Sequence, residues 1–93
     1  MDEIDDSVVY VLQLENDKYY IGKTHNLNNR ISKHFKNKGS SWTKLHKPIS
    51  LIETSNEISE KDMTLQYMRK YGWSNVRGYC WSNTNLSKPP RCL

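Results

Sequence analysis

Two runs of β-branched and aromatic residues flank a short polar segment near the start of the chain, and they constrain the fold more than any other feature. The first run is Val8-Val9-Tyr10-Val11-Leu12 and the second is Lys18-Tyr19-Tyr20-Ile21-Gly22. Residues of these types favour strands, and Asn16-Asp17 between them suits a tight turn because both residues tolerate left-handed backbone angles. The pattern predicts an antiparallel β-hairpin that brings Tyr10 and Tyr20 into the same neighbourhood.

The residues after the hairpin have helical spacing. Five side chains recur at steps of three and four and so share one helix face: Leu27, Arg30, Ile31, His34 and Phe35. Either Thr24 or Asn26 can cap the start of this helix, and Gly39-Ser40-Ser41 ends it. Because Arg30 and His34 are one turn apart, their side chains are predicted to project together.

The second half of the chain contains one more strand and one more helix. The alternation in Ile49-Ser50-Leu51-Ile52-Glu53-Thr54 predicts a third strand, and a helix is predicted from Glu60 to a stop at Gly72. The segment Trp42 to Leu45 predicts only a short turn. Residues 73–93 are rich in Ser, Asn, Gly and Pro and predict irregular structure.

The length of 93 residues leaves room for one domain. We expect an acidic N-terminal extension over residues 1–6, a domain over residues 7–79 and an irregular tail over residues 80–93. The elements predict an α/β fold of the α+β type, with a small, mainly antiparallel sheet of about three strands flanked by helices.

The formal charge of +4 is unevenly distributed along the sequence. Between Lys23 and Lys47 the chain carries Lys and Arg residues and no acidic residue. A basic block of this kind suits polyanion binding, because each phosphate contact releases condensed counterions. A solvated, Lys-rich face is the alternative interpretation of the charge alone.

The sequence also bears on cellular location. No apolar stretch approaches the roughly 20 residues that span a bilayer, so an integral membrane protein is not expected. Residues 1–7 are acidic and do not resemble a signal peptide, which favours an intracellular protein, cytoplasmic or nuclear, with reduced Cys80 and Cys92. Metal binding by these cysteines with His25, His34 or His46 is disfavoured, because no two candidate ligands form a close pair.

The order of several short motifs resembles the GIY-YIG nuclease superfamily. Val8-Val9-Tyr10 is followed by Tyr20-Ile21-Gly22, then by Lys23-Thr24, and then by Arg30 and His34 on a helix. The resemblance continues through three further segments and covers about residues 7–79: Gly39-Ser40-Ser41-Trp42-Thr43, Lys47-Pro48-Ile49 and Tyr71-Gly72-Trp73-Ser74-Asn75-Val76-Arg77-Gly78. It is closest to short stand-alone domains that end in Asn-Val-Arg-Gly. Val8 replaces the glycine of the family name.

The resemblance implies a DNA endonuclease with named site residues. Tyr10 or Tyr20 would activate the attacking water, and the resemblance does not settle which. Arg30 would hold the scissile phosphate and offset its charge, and His34 would accept the relayed proton. The residues expected to face DNA are Gly22, where the backbone can approach closely, and Lys23, Lys33, Lys36, Lys38, Trp42 and Lys44.

The resemblance also implies one divalent cation, Mg or Mn, held by a glutamate on the later helix. The residue at that position is Gln66. A neutral amide supplies no charge, so we expect metal binding and cleavage to be weakened or lost. Glu60 and Asp62 lie nearby, but Glu60 is about two thirds of a turn away around the helix and Asp62 is one turn away, so both are poor substitutes.

Each site residue also has an ordinary structural interpretation. Tyr10 and Tyr20 can be plain sheet core, and Arg30 can simply cover the helix surface. Two other functions compete with the nuclease: a nucleic-acid-binding module that lost turnover, and a protein-interaction domain with an incidental basic face. DNA is the expected partner, and a partner module or an oligomer is a possible source of target specificity.

Overall fold

The computed structural model describes residues 7–93, so the predicted acidic extension of residues 1–6 lies outside the described residues. Within these residues the chain forms four strands and three α-helices. The strands are β1 (Val8–Leu14), β2 (Lys18–Thr24), β3 (Pro48–Ser55) and β4 (Val76–Gly78), and the helices are α1 (Leu27–Phe35), α2 (Ser41–Leu45) and α3 (Glu60–Tyr71).

The predicted hairpin is present as β1 and β2, which pair antiparallel with Tyr10 opposite Gly22 and Leu12 opposite Tyr20. Its turn is a short 3-10 segment, Glu15–Asp17. Asn16 and Asp17 there adopt φ angles of 65° and 57°, in the left-handed region that Asn and Asp tolerate better than most residues. The residue types of the turn therefore fix the hairpin.

The sheet has the strand order β3-β1-β2-β4. β3 pairs antiparallel with β1, as the alternation predicted. β4 pairs parallel with β2 through three residues of each strand, in a segment predicted to be irregular. Three residues are too few to show a period, so β4 is defined by its partner strand rather than by its own sequence. The predicted α+β class is confirmed, with a four-stranded mixed sheet in place of about three strands.

The sheet separates two clusters of core side chains, because successive residues of a strand point to opposite faces. One face carries Val9, Val11, Tyr19 and Ile21, and Met63 and Met68 of α3 pack against it. The other face carries Tyr10, Leu12 and Leu14, which pack with Trp42 of α2 and with Leu27 and Ile31 of α1. α3 and the pair α1 and α2 thus cover opposite sides of the sheet.

The helix ends have recognisable caps. Asn26 caps α1 by accepting a hydrogen bond from the backbone N–H of Asn29 at 3.2 Å, which decides between the two predicted capping residues. Thr24 instead accepts from the backbone N–H of Asn26 at 3.0 Å. Ser59 caps α3, and Gly72 ends it with φ 94°, a conformation that favours glycine. Within residues 7–93, none of the helices is long and apolar enough to cross a membrane.

Arg77 on β4 fastens the C-terminal part of the chain to the rest of the domain. Its side chain is 3% exposed, and its guanidinium lies 4.1 Å from the centre of the Trp42 ring. Nε donates to the Asn83 carbonyl at 2.7 Å and Nη2 to the Thr84 carbonyl at 3.2 Å. Nη1 donates to three carbonyls that are closer to Arg77 in the sequence, those of Trp73, Ser74 and Val76. One buried cation therefore joins two backbone segments and an aromatic ring.

We predict that Arg77→Lys lowers the free energy of unfolding by about 2 to 3 kcal/mol, because an ammonium cannot reach both sets of carbonyls and leaves buried acceptors without donors. Urea denaturation measures the loss. Arg69→Lys, at an exposed position on α3, is the matched control and should change stability by less than about 0.5 kcal/mol. Equal effects of the two substitutions would contradict this role for Arg77.

Candidate active site

Tyr10, Tyr20 and His34 form an aromatic cluster on the face of the sheet that α1 covers. The ring centres of Tyr10 and Tyr20 are 6.3 Å apart, and those of Tyr20 and His34 are 5.2 Å apart. Tyr10 and His34 are almost completely buried, whereas Tyr20 is partly exposed. Of these three side chains, Tyr20 is the one that solvent reaches.

A chain of hydrogen bonds fixes the protonation of this cluster. The Thr43 hydroxyl donates to the Ser40 carbonyl at 3.0 Å, so it accepts from Nδ1–H of His34 at 3.1 Å. His34 therefore has no proton on Nε2 and accepts the hydrogen bond from the Tyr10 hydroxyl at 2.9 Å. The arrangement holds Tyr10 protonated and His34 neutral, with a direct path for the Tyr10 proton.

The electrostatic environment favours the same protonation states. Burial, assisted by the charge of Arg30, lowers the pKa of His34 to about 4. Burial and the neighbouring Tyr20 raise the pKa of Tyr10 well above its usual range. The pKa of Tyr20 is also raised, first by burial and then by the carboxylate of Glu60, while the Ser40 hydroxyl and Arg30 oppose the shift. Both tyrosines are therefore phenols at neutral pH, and either needs a proton acceptor to act as a base.

Two glycines make room for the hydrogen-bonded pair. A Cβ atom at Gly22 would lie 2.3 Å from the Tyr10 hydroxyl, and one at Gly39 would lie 2.0 Å from Nδ1 of His34. Both distances are far shorter than a van der Waals contact. The sequence predicts that Gly22 lets DNA approach. In the structure the Tyr10 ring lies against Gly22, and this contact by itself requires a residue without a side chain.

Arg30 and Tyr20 face a shallow cleft beside this cluster. The cleft has a volume of about 320 Å³, and its lining includes Lys33, His34 and Lys38 as well as Ser40. A second cleft of about 270 Å³ shares Arg30 and Lys33 with the first and extends to Lys23 and Asn26. The predicted pair of Arg30 and His34 therefore converges with Tyr20 at a positively charged groove.

The other residues expected to face DNA divide into two groups. Five lysines are exposed: Lys23, Lys33, Lys36, Lys38 and Lys44. Trp42 is only 3% exposed, and its Nε1 donates to the Tyr19 carbonyl at 3.0 Å. The structure gives Trp42 a place in the core, under Arg77, because a large ring can fill the space between α2 and the sheet.

Two residues of the later helix bear on the expected divalent cation, Gln66 and Glu60. Gln66 is exposed on α3. The carboxylate of Glu60, in the first turn of α3, is close enough to raise the pKa of both Tyr10 and Tyr20. Within residues 7–93, no three His, Cys, Asp or Glu side chains cluster around one point. Mg²⁺ commonly uses one or two carboxylates with water and substrate phosphate, so a single carboxylate donor on α3 fits such a sparse site.

The sequence did not indicate a role in the site for Ser40 or Thr43. Both lie in the segment Gly39-Ser40-Ser41-Trp42-Thr43, which contributed to the family resemblance. Their role in fixing the tautomer of His34 depends on the distance between α2 and α1, which no local pattern encodes. The only signal in the sequence was that Ser40 and Thr43 closely follow Gly39, without an indication of what their hydroxyl groups contact.

The fold and the cleft define a small α+β domain with a tyrosine, histidine and arginine site at a basic groove. The family model described as "GIY-YIG catalytic domain" matches residues 6–71. The chain belongs to this family. The family consists of nucleases that hydrolyse phosphodiester bonds, and the resemblance found in the sequence is confirmed.

Three relatives extend the comparison. The chain is 40% identical to UvrABC system protein C of Deinococcus radiodurans over 52 residues, which cover 54% of this chain and 8% of that protein. It is 36% identical to a UPF0213 protein of Pediococcus pentosaceus over 66% of this chain and 65% of that protein. UPF0213 protein YazA of Bacillus subtilis is 32% identical over 73% of this chain and 70% of that protein.

These matches leave parts of the relatives uncovered. The chain spans under a tenth of UvrABC system protein C and about two thirds of the Pediococcus protein. No solved structure matches the chain. Tyr10, Tyr20, Arg30 and His34 all lie within the family match.

The lowered pKa of His34 predicts a specific dependence of stability on pH. Because the unfolded chain binds this proton at about pH 6.5 and the folded chain only near pH 4, the stabilisation is complete above pH 6.5. It is lost as the pH falls towards 4, by up to about 3 kcal/mol. Denaturant unfolding at several pH values should show a steeper loss for the parent than for His34→Gln, which keeps hydrogen-bonding groups but does not titrate. Parallel curves for the two proteins would rule out the buried, neutral histidine.

Proposed function

We propose that this chain is a DNA endonuclease of the GIY-YIG type that hydrolyses phosphodiester bonds with the help of one divalent cation, Mg or Mn. Gln66, in place of the family's glutamate, leaves it inactive or weakened. The observation that carries the proposal is the basic cleft in which Tyr20, Arg30 and the edge of His34 meet. Membership in a nuclease family supports the same chemistry.

DNA binding begins with the charge of the groove. Arg30 and Lys33 line both neighbouring clefts, Lys38 lines the first and Lys23 the second, so a phosphate backbone can follow the groove from one cleft to the next. Each neutralised phosphate releases counterions, which makes the affinity strongly salt-dependent. Lys36 and Lys44 add positive charge nearby without lining either cleft.

Arg30 is the group best placed to hold the scissile phosphate. Its guanidinium is exposed on α1, beside Tyr20 in the cleft, and it offers a planar fork of donors that matches phosphate oxygens. Negative charge grows on those oxygens as water attacks phosphorus, so a fixed cation stabilises the transition state more than the ground state. Arg30 is therefore a catalytic residue in this proposal.

Tyr20 is the tyrosine placed for proton transfer with the attacking water. Tyr20 faces the cleft, so its hydroxyl can contact the attacking water, whereas Tyr10 is 1% exposed. Tyr10 and His34 act behind it as positioning residues, since the free lone pair of His34 Nε2 is already directed at the Tyr10 hydroxyl. Tyr20 acts as the base after its own proton has passed to solvent: its phenolate takes the proton of the water as the water oxygen bonds to phosphorus. The bond from phosphorus to the 3′ oxygen breaks, and that oxygen takes a proton from solvent.

A cation bound beside the cleft would offset the charge of Glu60, lower the pKa of Tyr20 and neutralise the phosphate. Glu60 supplies the one acidic side chain of α3 whose charge reaches both tyrosines. Gln66 occupies the position of the family's ligand with a neutral amide. The two residues lie on different sides of α3, so they are alternative ligands rather than joint ones.

We predict that Tyr20→Phe reduces cleavage by about 100-fold or more without a large change in melting temperature, because it removes one partly exposed hydroxyl. The comparison is made in the Gln66→Glu background, by plasmid cleavage. Tyr10→Phe is the matched variant: it removes the hydrogen bond to His34 and should change the pH profile of cleavage and lower stability. Full activity of Tyr20→Phe would transfer the role of base to Tyr10.

The experiment that tests the proposed function is plasmid cleavage with Mn or Mg by the parent beside Gln66→Glu. Because metal catalysis supplies several kcal/mol of charge stabilisation and about 1.4 kcal/mol is tenfold in rate, we expect Gln66→Glu to raise cleavage by orders of magnitude. Divalent-metal affinity, measured by calorimetry, should rise with it.

Two controls sharpen that experiment. Arg30→Ala in the Gln66→Glu background should abolish cleavage and keep the fold, since it removes a phosphate contact at the surface. Glu60→Gln in the parent should abolish residual cleavage if Glu60 is the working ligand, and leave it unchanged otherwise. A folded Gln66→Glu protein that binds DNA and Mn but cuts nothing would refute the nuclease.

The neutral amide of Gln66 favours a second candidate function, a nucleic-acid-binding module that kept the scaffold and lost turnover. Such a module binds DNA with strong salt dependence and leaves plasmid intact even as Gln66→Glu. A protein that shows no salt-sensitive DNA binding belongs to neither class.

We also propose an intracellular location, in the cytoplasm or nucleus, because Cys80 and Cys92 are exposed free thiols, which persist in reducing compartments.

A further inference from the structure

The chain makes a tight turn directly after β4, and Tyr79 lies at its tip. Gly78 and Trp81 close the turn with two backbone hydrogen bonds, from Gly78 N–H to the Trp81 carbonyl at 3.0 Å and from Trp81 N–H to the Gly78 carbonyl at 2.9 Å. Tyr79 has a φ angle of 54°. This is the left-handed region, where a bulky side chain is uncommon and strained.

Glycine would adopt this conformation without strain, so fold stability alone does not favour a tyrosine at residue 79. The other three non-glycine residues with positive φ in residues 7–93 are all Asn or Asp: Asn16, Asp17 and Asn37. Those residue types tolerate the conformation, whereas tyrosine does not. A strained bulky residue held by its surroundings is characteristic of functional positions.

The Tyr79 ring is presented to solvent on an aromatic support. It is 47% exposed, and its centre lies 5.4 Å from that of the Trp81 ring. Trp81 is partly buried and packs against the core cluster on the α3 face. The pair therefore forms an outward-facing aromatic surface in which Trp81 supports Tyr79.

This surface is linked to the proposed cleavage site through Glu60. Gly78 is the last residue of β4 that pairs with β2, opposite Ile21, and Tyr79 follows it directly. The backbone N–H of Tyr79 donates to the Glu60 carboxylate at 3.3 Å, and that carboxylate acts on the pKa of Tyr20. The turn and the tyrosine site thus share Glu60 as a neighbour.

We propose that Tyr79, supported by Trp81, is a stacking site for an unpaired nucleobase of the DNA strand that occupies the basic cleft. The proposal rests on the proposed function, and it specifies the substrate as DNA with single-stranded nucleotides beside the scissile phosphate. An exposed ring gains energy by covering the face of a base. Bases within an intact duplex already cover each other's faces, so the site discriminates for unpaired ones.

The test compares two labelled DNAs without divalent metal: a short blunt duplex and the same duplex with a single-stranded extension. The parent should bind the extended DNA more tightly. Tyr79→Leu should lose about tenfold in affinity for the extended DNA and keep its affinity for the blunt duplex. Tyr79→Phe is the matched control, because it keeps the ring, and it should bind both DNAs like the parent.

A second measurement uses the unaltered protein. Bromodeoxyuridine in the single-stranded extension should crosslink on irradiation to Tyr79 or Trp81, and mass spectrometry identifies the residue. Crosslinks confined to other residues, or a folded Tyr79→Leu variant that binds both DNAs like the parent, would overturn the stacking site while leaving the nuclease proposal intact. Absence of salt-sensitive binding to either DNA would overturn the proposed function, and the stacking site with it.

Discussion

The hydrogen bond between Tyr10 and His34 is the interaction on which the rest of the site depends. It joins β1, one of the two inner strands, to α1 across a buried interface, where an unpaired phenol or imidazole would be costly. Gly22 and Gly39 leave space for the two rings, and Thr43 satisfies the remaining nitrogen of the histidine. The pair thereby fixes where α1 lies against the sheet, and with it where Arg30 projects.

A second constraint comes from the charge of Arg77. A buried guanidinium must be satisfied by acceptors, and here five backbone carbonyls accept its hydrogen bonds while the Trp42 ring lies against it. The residues after β4 are held in place for this reason, although their own sequence has little preference for regular structure. The turn that carries Tyr79 depends on this anchored segment.

The two faces of the sheet differ in the helices that cover them and in whether they carry the site. α1 and α2 cover the face with the tyrosine, histidine and arginine site, while α3 packs on the other face and reaches the site from the edge of the sheet through Glu60. A polar side chain on α3 therefore affects the site through its charge and not through packing against the site residues. Because of this separation, the hydrogen bonds of Tyr10 and His34 involve no side chain of α3.

The sequence by itself determined the hairpin, its turn, both longer helices and the convergence of Arg30 with His34, because each follows from residue preference or periodicity over a few neighbouring residues. The nearness of Tyr10 to Tyr20 followed from the register of that hairpin. Only the tertiary structure decided that β4 is a strand, that Trp42 is buried under Arg77 rather than exposed to DNA, and that Thr43 sets the tautomer of His34. Each of these depends on residues far apart in the chain, and the free energy that favours them arises only when distant segments pack together, so no local pattern can show them.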